Sequence, residues 1–562
     1  MDRLFILPLM LATAPHSETH IRNHLIIRDY ETACTEAKHA FAKNPTEPLL
    51  ELTLEAFAKK GDERELWRVW NQYISQFPNL SQKRKLLESI AWGILNKGYG
   101  SASPLIRIQA LIAAYFSQDA KGVALLLQGM DDSSALIRRV AIRLATGLRD
   151  AKLQDRVLIA LKTDKNYDVR LAAIEAIGGM HIHSAKGELL QILGQSQATP
   201  EETEAAVAAL LEMTESAERS DVERLMGHPR YGMRLLGCEV VKALESQRDI
   251  DLIVQLVDDP QPSVRASSLR TLGLLRAPSL KEKARQRLRD KDPTVAILAA
   301  WGLTVAAPEE GQAAFQPWIT HAEPKIRQLA SAALSGTGKY GTAAQKQWVH
   351  SHNDPFVRMN LAIGLISQRE GVEQASAELA KGLNFSQEKW ELTEEAGFKV
   401  LRISQVTQDE GFDGSKEAEN QLARLQVLNI LAVTRYPGTF ETVRNLLKQR
   451  SWGITGMAAA LMLTEGDETA LDIIQELVED QDPSIRTQAA LVLALWGRSD
   501  KAVAALEKSY TSSDREMREH ILEGIGRVGS ISSIPFLIER MQEPYQSLRL
   551  IAAAALLECL YH

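Results

Sequence analysis

The chain has only three cysteines in 562 residues, and Cys34, Cys238 and Cys559 lie far apart. An odd, dispersed set excludes a disulfide framework and a cysteine zinc site. Each sits among apolar residues at helical spacing and reads as a small buried hydrophobe. A basic excess is missing as well. The net charge of -7 and the sequence pI near 6.0 argue against a general nucleic-acid binder, while leaving a local basic patch open. Catalytic signatures are absent: there is no Gly-rich phosphate loop, no G-x-S-x-G elbow and no H-E-x-x-H. No run of residues is apolar and long enough to span a bilayer.

Metal-binding patterns are sparse. The twelve histidines include two close pairs, His181-Ile182-His183 and His350-Ser351-His352. Residues two apart face opposite sides of a helix, so neither pair chelates from one. His181 follows Gly178-Gly179 in a turn, where the first pair can converge. No metal and no cofactor is expected.

What the chain has is a rhythm. Residues 480–497 read DQDPSIRTQAALVLALWG. Asp482 is a good N-cap, Pro483 suits the first helical turn, Ile485, Ala489, Val492, Leu493 and Trp496 share helical spacing, and Gly497 ends the helix. The phrase recurs. An aliphatic residue or Met precedes Arg107, Arg138, Arg170, Arg234, Arg265, Arg327, Arg358, Arg486, Arg518 and Arg549, and every gap is one, two or four steps of 31 or 32 residues. Val295-Ala296 and Ile454-Thr455 fill two missing beats. A small residue follows three positions later at Ala110, Ala141, Ala173, Gly237, Ser268, Ala330, Ala489 and Ala552. An acidic residue lies six before the beat at Asp132, Asp164, Asp259, Asp290 and Asp480. A fixed period over so many residues predicts a repeat array. Each unit reads as a short amphipathic helix, a tight Asp-Pro or Glu-Pro turn, and a second helix that is apolar nearly all round.

This pattern resembles HEAT-like repeats of the short, bilin-lyase type, and it covers about four-fifths of the chain. The resemblance implies an all-α, right-handed α-α superhelix of about 14 or 15 units over residues 101–562. It also implies that the Asp and the Arg form a ladder between neighbouring units, so that the ten arginines are structural. The expected binding face is a concave surface lined by the second helices. One enzyme class built on such repeats, the di-iron deoxyhypusine hydroxylases, uses His-Glu dipeptides as ligands; this sequence contains none.

Residues 17–100 have a different texture. Ala33, Ala37, Ala40 and Pro45 lie at the spacing of the second helix of a tetratricopeptide repeat, which this helical cap resembles weakly. Helices are expected at about 18–43, 46–60, 62–77 and 81–96, with Trp67, Trp70 and Trp92 in the core. Residues 1–16 form an apolar N-terminal segment. The run at 4–14 has the length of a signal h-region, and Ala12-Thr13-Ala14 has a cleavage-site form, but Asp2 and Pro15 oppose processing. A cytoplasmic location is expected, with export through residues 1–14 as the alternative.

The rhythm degenerates around residues 385–450. Residues 386–405 and 418–436 each read as a long helix, separated by an acidic, Gly-containing loop at 406–420. A long loop on a rigid scaffold is a place for function, so Asp409, Glu410, Phe412 and Asp413 are candidate partner-binding residues; a melted repeat helix explains the same stretch. The densest basic run places Lys281, Arg285 and Arg289 in one row of a first helix, with Leu280, Ala284 and Leu288 beneath. That row is either a solvated face or a surface for an acidic partner. Finally, residues 552–560 read AAAALLECL. A terminal repeat should be polar outside, so this end is expected to be covered by a partner or a second copy, or capped by Glu558, Tyr561 and His562.

The reading that follows is a non-enzymatic scaffold binding a protein or peptide on the concave face. A bilin-lyase-like or other enzyme accessory protein is one alternative. A nucleic-acid-binding solenoid, like the HEAT-like DNA glycosylases, is the other.

Overall fold

A computed structural model describes residues 14–117, 120–195, 197–383, 389–404, 415–448, 469–496 and 499–561. Helices dominate, and they condense into two compact units: residues 1–144 together with 510–562, and residues 145–509. No described helix is long and apolar enough to cross a membrane.

The first unit opens with α1 (Ala14–Ile26), α2 (Tyr30–Lys43), α3 (Glu47–Lys60), α4 (Glu63–Tyr73), α5 (Arg84–Tyr99) and α6 (Pro104–Ser117). The helix expected at 18–43 is therefore two. Arg28 takes a left-handed φ of 64°, and Asp29 caps α2 by accepting the Thr32 N–H at 3.2 Å. An Asp N-cap and a chain reversal outcompete the continuous helical pattern. Gly61, at φ 75°, ends α3 as a left-handed C-cap. Ala33 and Ala37 are fully buried, and Trp67, Trp70 and Trp92 are core, as expected.

The second unit shows why the repeat phrase has its residues. Its second helices include α7 (Pro262–Leu274), α8 (Pro293–Ala306), α9 (Pro324–Ser335) and α10 (Pro355–Ser367), each with proline in the first turn. Asp292 and Asp354 cap α8 and α10 through their side chains. Every residue from Val295 to Thr304 is buried, which is what a helix packed on all sides requires. The small residue three after the Arg is fully buried at Ser268, Ala330 and Ala489. At Gly237 a Cβ would meet the Met226 side chain at 2.9 Å. Close approach of neighbouring helices sets the size limit there.

The arginines form the ladder. Arg234 grips Asp259 with two bonds, 2.6 and 2.9 Å, and Arg265 grips Asp290 at 2.9 and 2.7 Å, each carboxylate lying 25 residues ahead. Arg327 reaches Asp354 at 2.6 Å and Arg358 reaches Glu378 at 3.2 Å. The same guanidinium closes its own turn. Arg265 Nη1 donates to the carbonyls of Asp259 and Pro260, and Arg327, Arg358 and Arg486 repeat the bond at the same offsets. Burial alone would push the Asp290 carboxyl up, yet the hydrogen bonds from Arg265 and the Asp292 N–H, with the charges of Arg265 and Arg287, together outweigh it and hold the group below the usual carboxylate range.

Within the segment expected as a helix at 386–405, the described residues 389–404 form an antiparallel hairpin instead. Strands β1 (Trp390–Glu395) and β2 (Phe398–Ile403) pair Leu392 with Leu401 and Glu395 with Phe398. Ala396 and Gly397 both have positive φ, 52° and 78°, so the turn twists with the strands. The residues are β-formers, Trp390, Thr393, Phe398, Val400 and Ile403, around a dipeptide that tolerates such a turn. The second expected helix is present as α11 (Ser415–Val433).

The first unit finishes with α12 (Arg515–Val528) and α13 (Gln546–Tyr561). The apolar end expected to be covered by a partner or a second copy is covered by this chain itself. Helix α13 packs against α12 on one side and α5 and α6 on the other. A Cβ on Gly98 would lie 2.4 Å from Leu550, so only glycine permits this approach. Arg549 forms an ion pair with Glu63 at 2.7 Å and donates to the Glu543 carbonyl at 2.9 Å, so the N-terminal helices take the place of the next unit. Arg84 lies over the Tyr561 ring at 4.9 Å.

Candidate functional site

The second helices of the second unit present a common strip five residues beyond the arginine beat. Glu175 and Ala208 are exposed on it. At α8 and α9 the equivalent residues, Trp301 and Ala332, are 3% and 5% exposed. The β1–β2 hairpin covers them. Its contacts run over four successive second helices.

At one end, Arg270 of α7 lies between two rings, 4.4 Å from the Trp301 centroid and 4.1 Å from that of Phe398. Trp301 and Phe398 meet edge to face at 5.8 Å. Arg270 Nη2 donates to the Gly397 carbonyl at 3.0 Å, which anchors the hairpin turn. Burial pushes this guanidinium down to about 10, against the opposing pull of Glu394 and Glu239. Phe398 also passes over α9 where residue 336 is glycine; a Cβ there would stand 2.7 Å from the ring.

In the middle, Asn360 of α10 treats β2 as a strand partner. The Leu401 N–H donates to Asn360 Oδ1 at 3.0 Å, and Asn360 Nδ2 donates to the Leu401 carbonyl at 3.0 Å. One side-chain amide thereby satisfies both backbone groups on the free edge of the hairpin. At the far end, Trp390 is buried against Phe356 of α10, with Arg424 of α11 at 4.5 Å from its ring. Asn420 accepts the Trp390 N–H at 2.9 Å. Arg402, 4% exposed, is neutralised within the hairpin by Glu391 and Glu395. Beyond Ile403 an open cleft of about 640 Å³ is lined by His321, Arg327, Trp348, His352 and Asp354.

The sequence candidates fall elsewhere. Asp409, Glu410, Phe412 and Asp413 lie outside the described residues. Lys281 and Arg285 sit on the first helix Leu280–Arg287, with Arg289 just after it, and all three are exposed. Arg285 forks onto Glu310 at 2.6 and 2.5 Å, while Lys283 and Arg287 share Asp258. Much of the basic run is thus spent on carboxylates of adjacent units. The hairpin contacts Arg270, Trp301 and Asn360 were not picked out from sequence; the Ala396-Gly397 dipeptide between two β-rich stretches was the available signal.

Three histidines have a structural use. His228, His321 and His352 stand six before Arg234, Arg327 and Arg358, where other units carry Asp. Each accepts through Nδ1 the N–H two residues on, at 3.1, 3.1 and 3.0 Å, as Asp132, Asp259 and Asp480 do through their carboxylates. Where the preceding beat lacks an arginine, as at Ala296, a neutral ring caps the turn without leaving a carboxylate unpaired. His352 Nε2 faces the Ile319 carbonyl at 3.0 Å, so both its ring nitrogens are engaged. The cysteines are buried thiols, and burial pushes Cys34 up to about 11.

A HEAT-repeat family model matches residues 470–557. Over that stretch the chain is built of HEAT-like repeats. Within it, Arg486 and Arg549 close their own turns as the arginines of the earlier units do. No curated protein matches significantly. Among solved structures, yeast importin-beta is 12% identical with a TM-score of 0.32, covering 84% of this chain and 72% of its own. The UNC-45 chaperone is 11% identical with a TM-score of 0.35, covering 98% of this chain and 82% of its own. Human deoxyhypusine hydroxylase is 17% identical with a TM-score of 0.22, covering 44% of this chain and 96% of its own. At such scores none of these likenesses bears on what the HEAT-like chain does.

Proposed function

We propose that the chain is a non-enzymatic scaffold that binds a partner polypeptide along the exposed strip of its second helices, the concave face of the superhelix. The observation that supports this most is the hairpin. That face already holds an extended peptide segment by an edge-to-face ring contact on Trp301, an arginine clamp from Arg270 and an amide bridge from Asn360. These are the elements of peptide recognition in general: aromatic anchors for affinity and backbone hydrogen bonds for register. An external segment would use the strip where Glu175 and Ala208 leave it open.

Two measurements test the reading. A photo-crosslinking residue at position 175 or 208 is expected to capture one and the same protein, while the same residue at Arg285, on a first helix, captures none. Capture only from position 285, or recovery of nucleic acid alone, refutes the proposal. A peptide of residues 389–404 is also expected to bind in trans to a chain in which that segment is replaced by a Gly-Ser linker, and not to the intact chain. No binding to the replaced chain would mean that the face does not recognise peptide.

A further inference from the structure

We propose that α1 and α2 hold a divalent transition-metal ion, Zn²⁺ by its ligand preference, through His20, His24 and Glu36. The reading is independent of the second-helix face. His20 and His24 are four apart on α1 and so share one side of it. The left-handed turn at Arg28 folds α2 back, and Glu36 comes to the same place. The ligand atoms of the three residues all lie within 4.8 Å of one another. His24 Nε2 is 3.7 Å from Glu36 Oε1. Ligands bound tetrahedrally at about 2.0–2.1 Å stand roughly 3.4 Å apart, so rotation of surface side chains alone completes the set.

A further residue orients the site. His24 Nδ1 lies 3.2 Å from Asp29 Oδ2. With the proton on Nδ1 donated to that carboxylate, the Nε2 lone pair points at Glu36, the carboxylate–imidazole–metal relation found at zinc sites. His20 is exposed, so a fourth position stays open to water. The ion would do structural work. Among the described side chains of α1 only Ile21 and Leu25 are buried, and a metal bridge to Glu36 would fix the helix to its neighbour.

The test uses the full-length chain stripped with EDTA and titrated calorimetrically with Zn²⁺, with Co²⁺ absorption as a second readout. One ion per chain is expected, with a Kd of about 1 μM or tighter, and the ion is expected to slow amide exchange in α1. The double variant His20→Ala/His24→Ala should bind at least about 100-fold more weakly, with unchanged far-UV circular dichroism. Asp29→Asn keeps a good N-cap for α2 and should weaken binding about 10- to 100-fold. His181→Ala should change nothing. No heat on addition of Zn²⁺ to the native chain overturns the proposal, as does equal affinity in the double variant.

Discussion

Replacing Asn360 by alanine tests the docking of the hairpin; its Nδ2 also donates to the Ser331 hydroxyl of α9 at 3.2 Å. Asn360 is 3% exposed and makes the two bonds that satisfy the Leu401 N–H and carbonyl, each at 3.0 Å. Alanine strands both backbone groups next to the helices. An unsatisfied buried polar group costs about 1–3 kcal/mol, so the pair amounts to about 2–6 kcal/mol against the docked state. A two-stranded hairpin is barely stable alone, so most of this loss falls on docking, and the lost bond to Ser331 is the smaller part felt by α9. Amide exchange in β1 and β2 should quicken by about 30-fold to 10⁴-fold, at 1.4 kcal/mol per tenfold. Exchange in α8 should hold. Mass spectrometry of exchanged peptides reads both in one sample. Unchanged hairpin exchange would refute the assignment, because the amide bridge would then carry no docking energy. Equal acceleration throughout the second unit would refute it as well, since Asn360 would then be supporting the helical core.

Three further outcomes follow from the packing. Glu558 is buried, which pushes its carboxyl up to about 8, with Arg527 pulling it down and Glu523 raising it further. A raised pKa means stability that is complete below the unfolded value and is lost as pH climbs through the folded one, so Glu558→Gln should leave the melting point unchanged near pH 4 and raise stability by up to about 5 kcal/mol above pH 8. Ala330→Leu, at a fully buried close approach, should cost about 1–3 kcal/mol in a denaturant titration, whereas Ala208→Leu on the exposed strip should stay within about 0.5 kcal/mol. Arg265→Met should cost about 1–3 kcal/mol by removing the two-bond partner of Asp290, which keeps only Arg287 at 3.4 Å as an ion-pair partner, and adding Asp290→Leu should recover part of it. Because the Asp290 carboxyl is held low, the contribution of that pair is present at neutral pH and disappears on acidification, so an acid titration should show the double variant less sensitive than the native chain.

The local half of this protein is legible in its amino-acid order. The 31- or 32-residue beat, the Asp-Pro turn, the arginine and the small residue after it are short-range or nearest-neighbour features, and in a repeat array nearest neighbours are most of the energy. The second helices, the structural role of the arginines and the buried tryptophans were legible for that reason. Residues 386–405 were not, since helical and strand patterns compete in a short apolar stretch, and only Arg270, Trp301 and Asn360, far away in sequence, give strands a surface to lie on. The His20–His24 pair is visible as a spacing, but Glu36 joins it only because the chain reverses at Arg28. The apolar run at 552–560 carries no record of what covers it. Tertiary structure alone decided that Gly98 and Glu63 of the N-terminal helices do so, because contacts between residues some 450 positions apart leave no periodic trace in a single sequence.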